Sequence, residues 1–151
     1  DIGPGDPELT INILYLCTGN SCRSQMAEGW TRTLNDGRFS TASAGIEAHG
    51  KNPRAIAVMA EAGIDISGQE STIVTDEMLQ QADVVVTVCG HADEQCPALP
   101  SRVRKVHWPL TDPARATGTE EEIMLEFRAT RDEVERRVGS LLALLAEGED
   151  L

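Results

Sequence analysis

The chain has 151 residues, enough for one domain around a single core. A formal net charge of −12 at neutral pH excludes the basic surface that nucleic acid or an anionic membrane requires, so an anionic substrate must be held by local positive groups and not by the field of the whole protein. Aromatic residues make up 3%, so the core is aliphatic, and the longest apolar runs, 84–88 and 141–146, fall far short of the roughly 20 residues that span a bilayer.

Residues 1–10 are rich in Gly, Pro and Asp, show no hydrophobic pattern and do not begin with Met. They read as an appended tail or disordered extension, which leaves a single domain over 11–151. No secretory signal is visible, and a cytoplasmic location is expected.

Residues 11–16 are a short β-rich apolar run that ends at Cys17. The segment 21–34 sets Met26, Ala27, Trp30 and Leu34 at helical spacing. Residues 39–44 predict a second strand. Asn52 followed by Pro53 marks a helix start, Asn as cap and Pro in the first turn, for a helix through Ala55, Val58 and Met59 to Gly63. Thr75 caps a short helix with an acidic first turn, running to about residue 82. Residues 83–88 are a β-branched run of the kind covered on both faces, and 103–108 predict one more strand. Thr119 with Glu122 makes a capping box that opens a long helix, striped by Ile123, Phe127, Val134, Val138, Leu141, Leu142 and Leu145.

The order β-α-β-α-α-β-β-α implies an α/β fold: a three-layer α/β/α domain with a four-stranded, mostly parallel sheet and an anion-binding loop after the first strand. Ligands of such sheets lie at the carboxyl ends of the strands. Cys17, Cys89 and the 109–113 loop all fall at such ends.

The loop Cys17-Thr18-Gly19-Asn20-Ser21-Cys22-Arg23-Ser24 joins the first strand to the first helix and contains a Cys-x5-Arg pattern. A strand-to-helix turn leaves several N–H groups unpaired at the helix start, where they converge on an anion. Gly19 lets the backbone approach closely. Arg23 offers a planar fork to two oxygens of a tetrahedral anion. Cys17 sits at the positive end of the helix dipole, which favours the thiolate, and Ser24 is expected to donate a hydrogen bond to it. The cradle then comprises Thr18, Gly19, Asn20, Ser21, Cys22, Arg23 and Ser24, with Cys22 itself a small loop-packing residue. The competing reading, a buried cysteine beside an arginine in a surface ion pair, does not account for the glycine or for the position between strand and helix.

The chain has four cysteines, Cys17, Cys22, Cys89 and Cys96. Two structural disulfides would fit a secreted protein, but the aliphatic content supports a core without them. The spacings lack the CxxC of a zinc ribbon, so metal ligation is the weaker reading, and no metal or other cofactor is expected. Cys96 follows Cys89 by seven positions. If the segment between them is helical, their Cα atoms are about 10 Å apart at 1.5 Å per residue, whereas a disulfide needs about 7 Å or less. A bond between them would then require the helix to unwind; two unlinked buried thiols are the alternative. His49, His91 and His107 have no partner pattern for metal or triad chemistry and read as surface or loop residues.

The run from Cys17 to Trp30, together with Ser43-Ala44-Gly45-Ile46, Asn52-Pro53, Val88-Cys89, His107-Trp108 and Asp112-Pro113, resembles the thioredoxin-coupled arsenate reductases of the low-molecular-weight tyrosine phosphatase fold. The likeness covers nearly all of the chain after Thr10. It implies reduction of arsenate to arsenite by three redox cysteines, Cys17 as nucleophile with Cys89 and Cys96 as the resolving pair. It also implies Asp112 as general acid, and thioredoxin or a similar dithiol protein as reductant. Some members of the family bind potassium near the loop; Asn20, Glu28 and Ser43 match that site, while Thr72 stands where an Asp ligand is expected. Two rival functions share parts of this set. A low-molecular-weight tyrosine phosphatase would use Cys17, Arg23 and Asp112, but Ala114 stands where those phosphatases usually carry an aromatic residue. A non-enzymatic oxyanion or redox sensor would need the loop and no acid.

Overall fold

The computed structural model describes residues 10–148, and the expectation for 1–10 falls, apart from Thr10, outside the described residues. Four strands make one sheet in the order β2-β1-β3-β4: β1 (Ile11–Cys17), β2 (Phe39–Gly45), β3 (Val84–Thr87) and β4 (Arg104–His107). Every pairing is parallel, not merely most of them. A parallel neighbour needs a crossover. Between β3 and β4, which the element order had placed back to back, that crossover includes a helix, α4 (Gly90–Gln95), of the kind the cysteine spacing had left conditional.

The other helices are α1 (Arg23–Leu34), α2 (Pro53–Glu61), α3 (Asp76–Gln81) and α5 (Glu120–Ala146). α1, α2 and α5 pack on one another, while α3 and α4 contact the central strands, completing an α/β/α arrangement. The capping chemistry is as the residues dictate. Asn52 Oδ1 accepts from the Arg54 and Ala55 N–H groups ahead of Pro53, and the Thr119–Glu122 capping box is formed.

β1 and β3 carry the core. Val84, Val85 and Val86 are fully buried, as a strand covered on both faces must be, each contributing about 1.5–3 kcal/mol of hydrophobic stabilisation. β4 is an edge strand with three of its four residues exposed. Tyr15 in β1 is also fully buried, its hydroxyl 2.6 Å from Thr31 Oγ1 of α1 and its ring against Trp108. This arrangement sets Cys17, at the end of β1, beside Gly45 of β2 in register, with Cys89 just beyond the neighbouring end of β3.

Candidate active site

The loop between β1 and α1 is shaped by what lies behind it. The Cys17, Thr18 and Gly19 carbonyls accept from the N–H groups of Ile46, Glu47 and His49 at 3.0, 2.8 and 2.9 Å. With its carbonyls tied to the chain after β2, the loop turns its N–H groups to the other side. Asn20 takes a left-handed conformation, φ 49°, which Asn tolerates better than most residues. Its side chain donates to the Ser43 and Glu70 carbonyls, and Gln25 Nε2 donates to the Asn20 carbonyl at 3.0 Å.

Gly45 permits this close approach: a Cβ there would sit 2.2 Å from the Glu47 carbonyl oxygen and 2.8 Å from the Asn20 nitrogen. At the other end of the loop, Cys22 stands at the N-cap of α1 and its side chain makes no capping hydrogen bond to the first N–H groups of the helix. Ser24 departs from the expectation that it serves the Cys17 thiolate: its hydroxyl donates to Asn20 Oδ1 at 2.8 Å. The left-handed turn at Asn20 brings that oxygen over the first turn of α1, so Ser24 braces the loop from behind.

The loop forms one wall of a cavity of about 620 Å³. Cys17, Thr18, Gly19, Ser21, Cys22 and Arg23 line it, and Cys89 and Asp112 face it from the ends of the other segments. Asn20 and Ser24 are not on this lining, and both are fully buried. Cys96 is not on it either; it caps the far end of α4, half-buried. His49 and His91 are exposed residues at the cavity's rim.

Arg23 is 8% exposed. Its Nη1 donates to the Val88 and Leu110 carbonyls at 3.3 and 3.1 Å, which fixes the guanidinium plane. Its Nη2 lies 3.6 Å from Asp112 Oδ2, and its Nε is buried with no protein acceptor among the described residues. A buried N–H without a partner is costly, and an anion oxygen would satisfy it. Asp112 is held by its own turn, accepting from the Ala114 N–H at 3.0 Å, with Pro113 opening a short 3₁₀ turn.

The cysteines are all unlinked. Cys17 and Cys89 line the same cavity, and each thiol acts on the ionisation of the other. The neighbouring Cys17 thiol holds the Cys89 thiol down at about 5, aided by Thr18 Oγ1 at 3.0 Å and the Ala92 N–H at 3.3 Å. Cys17 is pushed well up, first by the neighbouring Cys89 thiol and then by burial. Burial raises Cys22 to about 11 and also raises Cys96. The Thr18–Cys89 contact, 71 positions apart in sequence, was not visible in any local pattern.

The residues matching a potassium site do come together. Ser43 Oγ donates to Glu28 Oε1 at 2.6 Å, but Glu28 Oε2 already faces Arg32 at 3.6 Å and Asn20 Oδ1 is taken by Ser24. With a threonine at 72 in place of a carboxylate, the residues present do not fit a cation site. Among the described residues no cluster of His, Cys, Asp and Glu is placed to hold a metal ion.

The low molecular weight phosphotyrosine protein phosphatase family matches residues 12–150. The chain belongs to that family. Within it, the chain is 56% identical to an arsenate reductase of Halalkalibacterium halodurans over 126 residues, 83% of this chain and 91% of the relative. It is 53% identical to an arsenate reductase of Bacillus subtilis over the same shares. Among solved structures it resembles an arsenate reductase in the oxidized state, with a TM-score of 0.75 and 36% identity over 87% of this chain and 96% of that one. It also resembles an arginine phosphatase from Geobacillus stearothermophilus, with a TM-score of 0.76 and 26% identity over 91% of this chain and 94% of that one. The family fold thus carries both reductases and phosphatases, and the chemistry of this member turns on which thiols accompany the loop.

Proposed function

We propose that this protein reduces arsenate to arsenite through a relay of Cys17, Cys89 and Cys96, and that thioredoxin or a similar dithiol protein restores it in a reducing cytoplasm. The observation that carries this reading is that Cys17 and Cys89 line the same cavity, with Cys96 one short helix away from Cys89. Hydrolysis needs one thiol and water, whereas reduction needs thiols that supply two electrons. The names of the relatives at 53–56% identity supply the substrate.

The loop N–H groups and Arg23 hold the tetrahedral anion, and the bound oxygens take up the Cys17 proton. Cys17 sulfur attacks arsenic while Asp112 protonates the departing oxygen, which leaves as water. The Cys89 thiolate attacks Cys17 sulfur next. The electron pair of the S–As bond passes to arsenic, As(V) becomes As(III) and departs as arsenite, and a Cys17–Cys89 disulfide remains. Cys96 attacks Cys89, transfers the bond to Cys89–Cys96 and frees Cys17; the external dithiol reduces that last bond. Arsenite release coupled to oxidation of thioredoxin tests the reading, and its absence with fully reduced enzyme would refute it.

Hydrolysis of phosphate esters is the second reading, favoured by the presence of Cys17, Arg23 and Asp112 in one cavity. Ala114 lines that cavity and offers no ring to an aryl group, so this activity is a weak side reaction. A pure oxyanion or redox sensor has no need of Asp112 beside Arg23.

A further inference from the structure

α4 separates the two outer cysteines, with Cys89 as its N-cap and Cys96 as its C-cap. Asp93, in the body of this helix, is tied to two strands. Its Oδ1 accepts from Thr87 Oγ1 of β3 at 3.1 Å and pairs with Lys105 Nζ of β4 at 2.9 Å. The same Lys105 ammonium donates to the Asp93 main-chain carbonyl at 3.1 Å, so one cation grips both the backbone and the side chain of one helical residue. Thr87 is fully buried, and His107 Nδ1 of β4 lies 2.8 Å from its hydroxyl and 3.9 Å from Asp93 Oδ1. None of Thr87, Asp93, Lys105 and His107 lines the cavity, so the proposed reaction leaves this network unused.

We propose that Asp93 is a positioning residue for the relay: its clamp to Thr87 and Lys105 holds α4 wound in the dithiol enzyme and opens for Cys96 to reach Cys89. The role in turnover rests on the three-cysteine reading above; the equilibrium between the Cys89–Cys96 dithiol and disulfide does not. In the relay step Cys96 releases its proton to water and attacks Cys89 of the Cys17–Cys89 bond. The Cys89–Cys96 bond forms, Cys17 leaves as thiolate, and no electrons are gained or lost overall. Wound as a helix, the segment spans about 10 Å, against the 7 Å or so that a disulfide allows. The clamp therefore exists in the dithiol form alone, and whatever stabilises one form alone shifts the balance toward it.

The test uses the full chain with Cys17→Ser, equilibrated in glutathione redox buffers, with the Cys89–Cys96 bond quantified by thiol trapping and peptide mapping. Asp93→Ala should shift the equilibrium toward the disulfide by roughly tenfold, the worth of hydrogen bonds to a charged group. Asp93→Asn, which keeps an acceptor without the charge, should fall between it and the parent. Lys105→Met should also shift toward the disulfide; its mutation leaves the α4 sequence untouched, so helix propensity cannot produce the effect. With Cys17 restored, aryl phosphate hydrolysis by these variants should match the parent. The proposal is overturned if Asp93→Ala leaves the equilibrium at the parent value, if Lys105→Met does not share the shift, or if no Cys89–Cys96 bond forms in any buffer. If the shift is seen but arsenate never produces a Cys89–Cys96 bond in the parent, the clamp stands and the three-cysteine reading falls.

Discussion

Thr18 Oγ1 lies 3.0 Å from Cys89 Sγ across the carboxyl ends of β1 and β3, in the cavity that Cys17 also lines. The neighbouring Cys17 thiol, the Thr18 hydroxyl and the Ala92 N–H all lower the Cys89 thiol, to about 5. The Thr18 and Ala92 donors stay in place once Cys17 carries an adduct, and they favour the Cys89 thiolate that its attack requires.

This distribution predicts reactivity in the resting enzyme. Peptide-resolved alkylation at neutral pH should modify Cys89 faster than Cys17. A lowered value means the thiolate persists above it and is lost below it, so the Cys89 rate should hold down to pH of about 5 and then fall. Thr18→Val removes one donor and should move that midpoint upward. Faster alkylation of Cys17 would place the charge on the other sulfur.

Cys17→Ser should abolish both arsenate reduction and aryl phosphate hydrolysis. A serine hydroxyl is not ionised near neutral pH, so the nucleophile is lost. Retained turnover in steady-state assays would remove Cys17 from the nucleophile's role.

Asp112→Asn should slow the first chemical step by roughly 10²–10⁴-fold, the usual worth of a general acid. The amide can still accept from the Ala114 N–H, so the turn survives while the proton is lost. Single-turnover rates equal to the parent would exclude Asp112 from proton transfer.

Gly45→Ala should weaken oxyanion binding. The new Cβ meets backbone atoms of Glu47, Asn20 and Thr18 at 2.2–2.8 Å, and backbone cannot swing aside as a side chain would. The loop must shift, and overpacking of this kind costs about 1–3 kcal/mol or more. Phosphate binding measured by calorimetry should weaken by more than about tenfold, the equivalent of 1.4 kcal/mol. Unchanged affinity would mean the loop tolerates the displacement.

Much of this was written locally in the chain. Asn52-Pro53 and the Thr119–Glu122 box set helix starts where the structure has them, and the Val84–Val86 run announced a doubly covered strand. The cavity wall from Cys17 to Arg23 is one contiguous segment, so its shape follows from a strand, a turn and a helix N-terminus. Other features depend on partners distant in sequence, and no periodicity reports those. Ser24 is drawn to Asn20 Oδ1 because Asn20 turns left-handed, which its residue type permits without announcing. Thr18 meets Cys89 because β1 and β3 are neighbours in the sheet order, a consequence of topology. The Asp93 clamp needs β3, β4 and α4 in place at once, and nothing in a six-residue helix forecasts it.

The central claim, a relay that ends on Cys96, is tested most directly by the fate of Cys96→Ser with arsenate and thioredoxin as the sole reductant. The account predicts one turnover followed by arrest, with mass spectrometry finding a Cys17–Cys89 disulfide in that variant and a Cys89–Cys96 disulfide in the parent after one arsenate pulse. Repeated turnover of Cys96→Ser at the parent rate would contradict it and leave a two-cysteine scheme in its place.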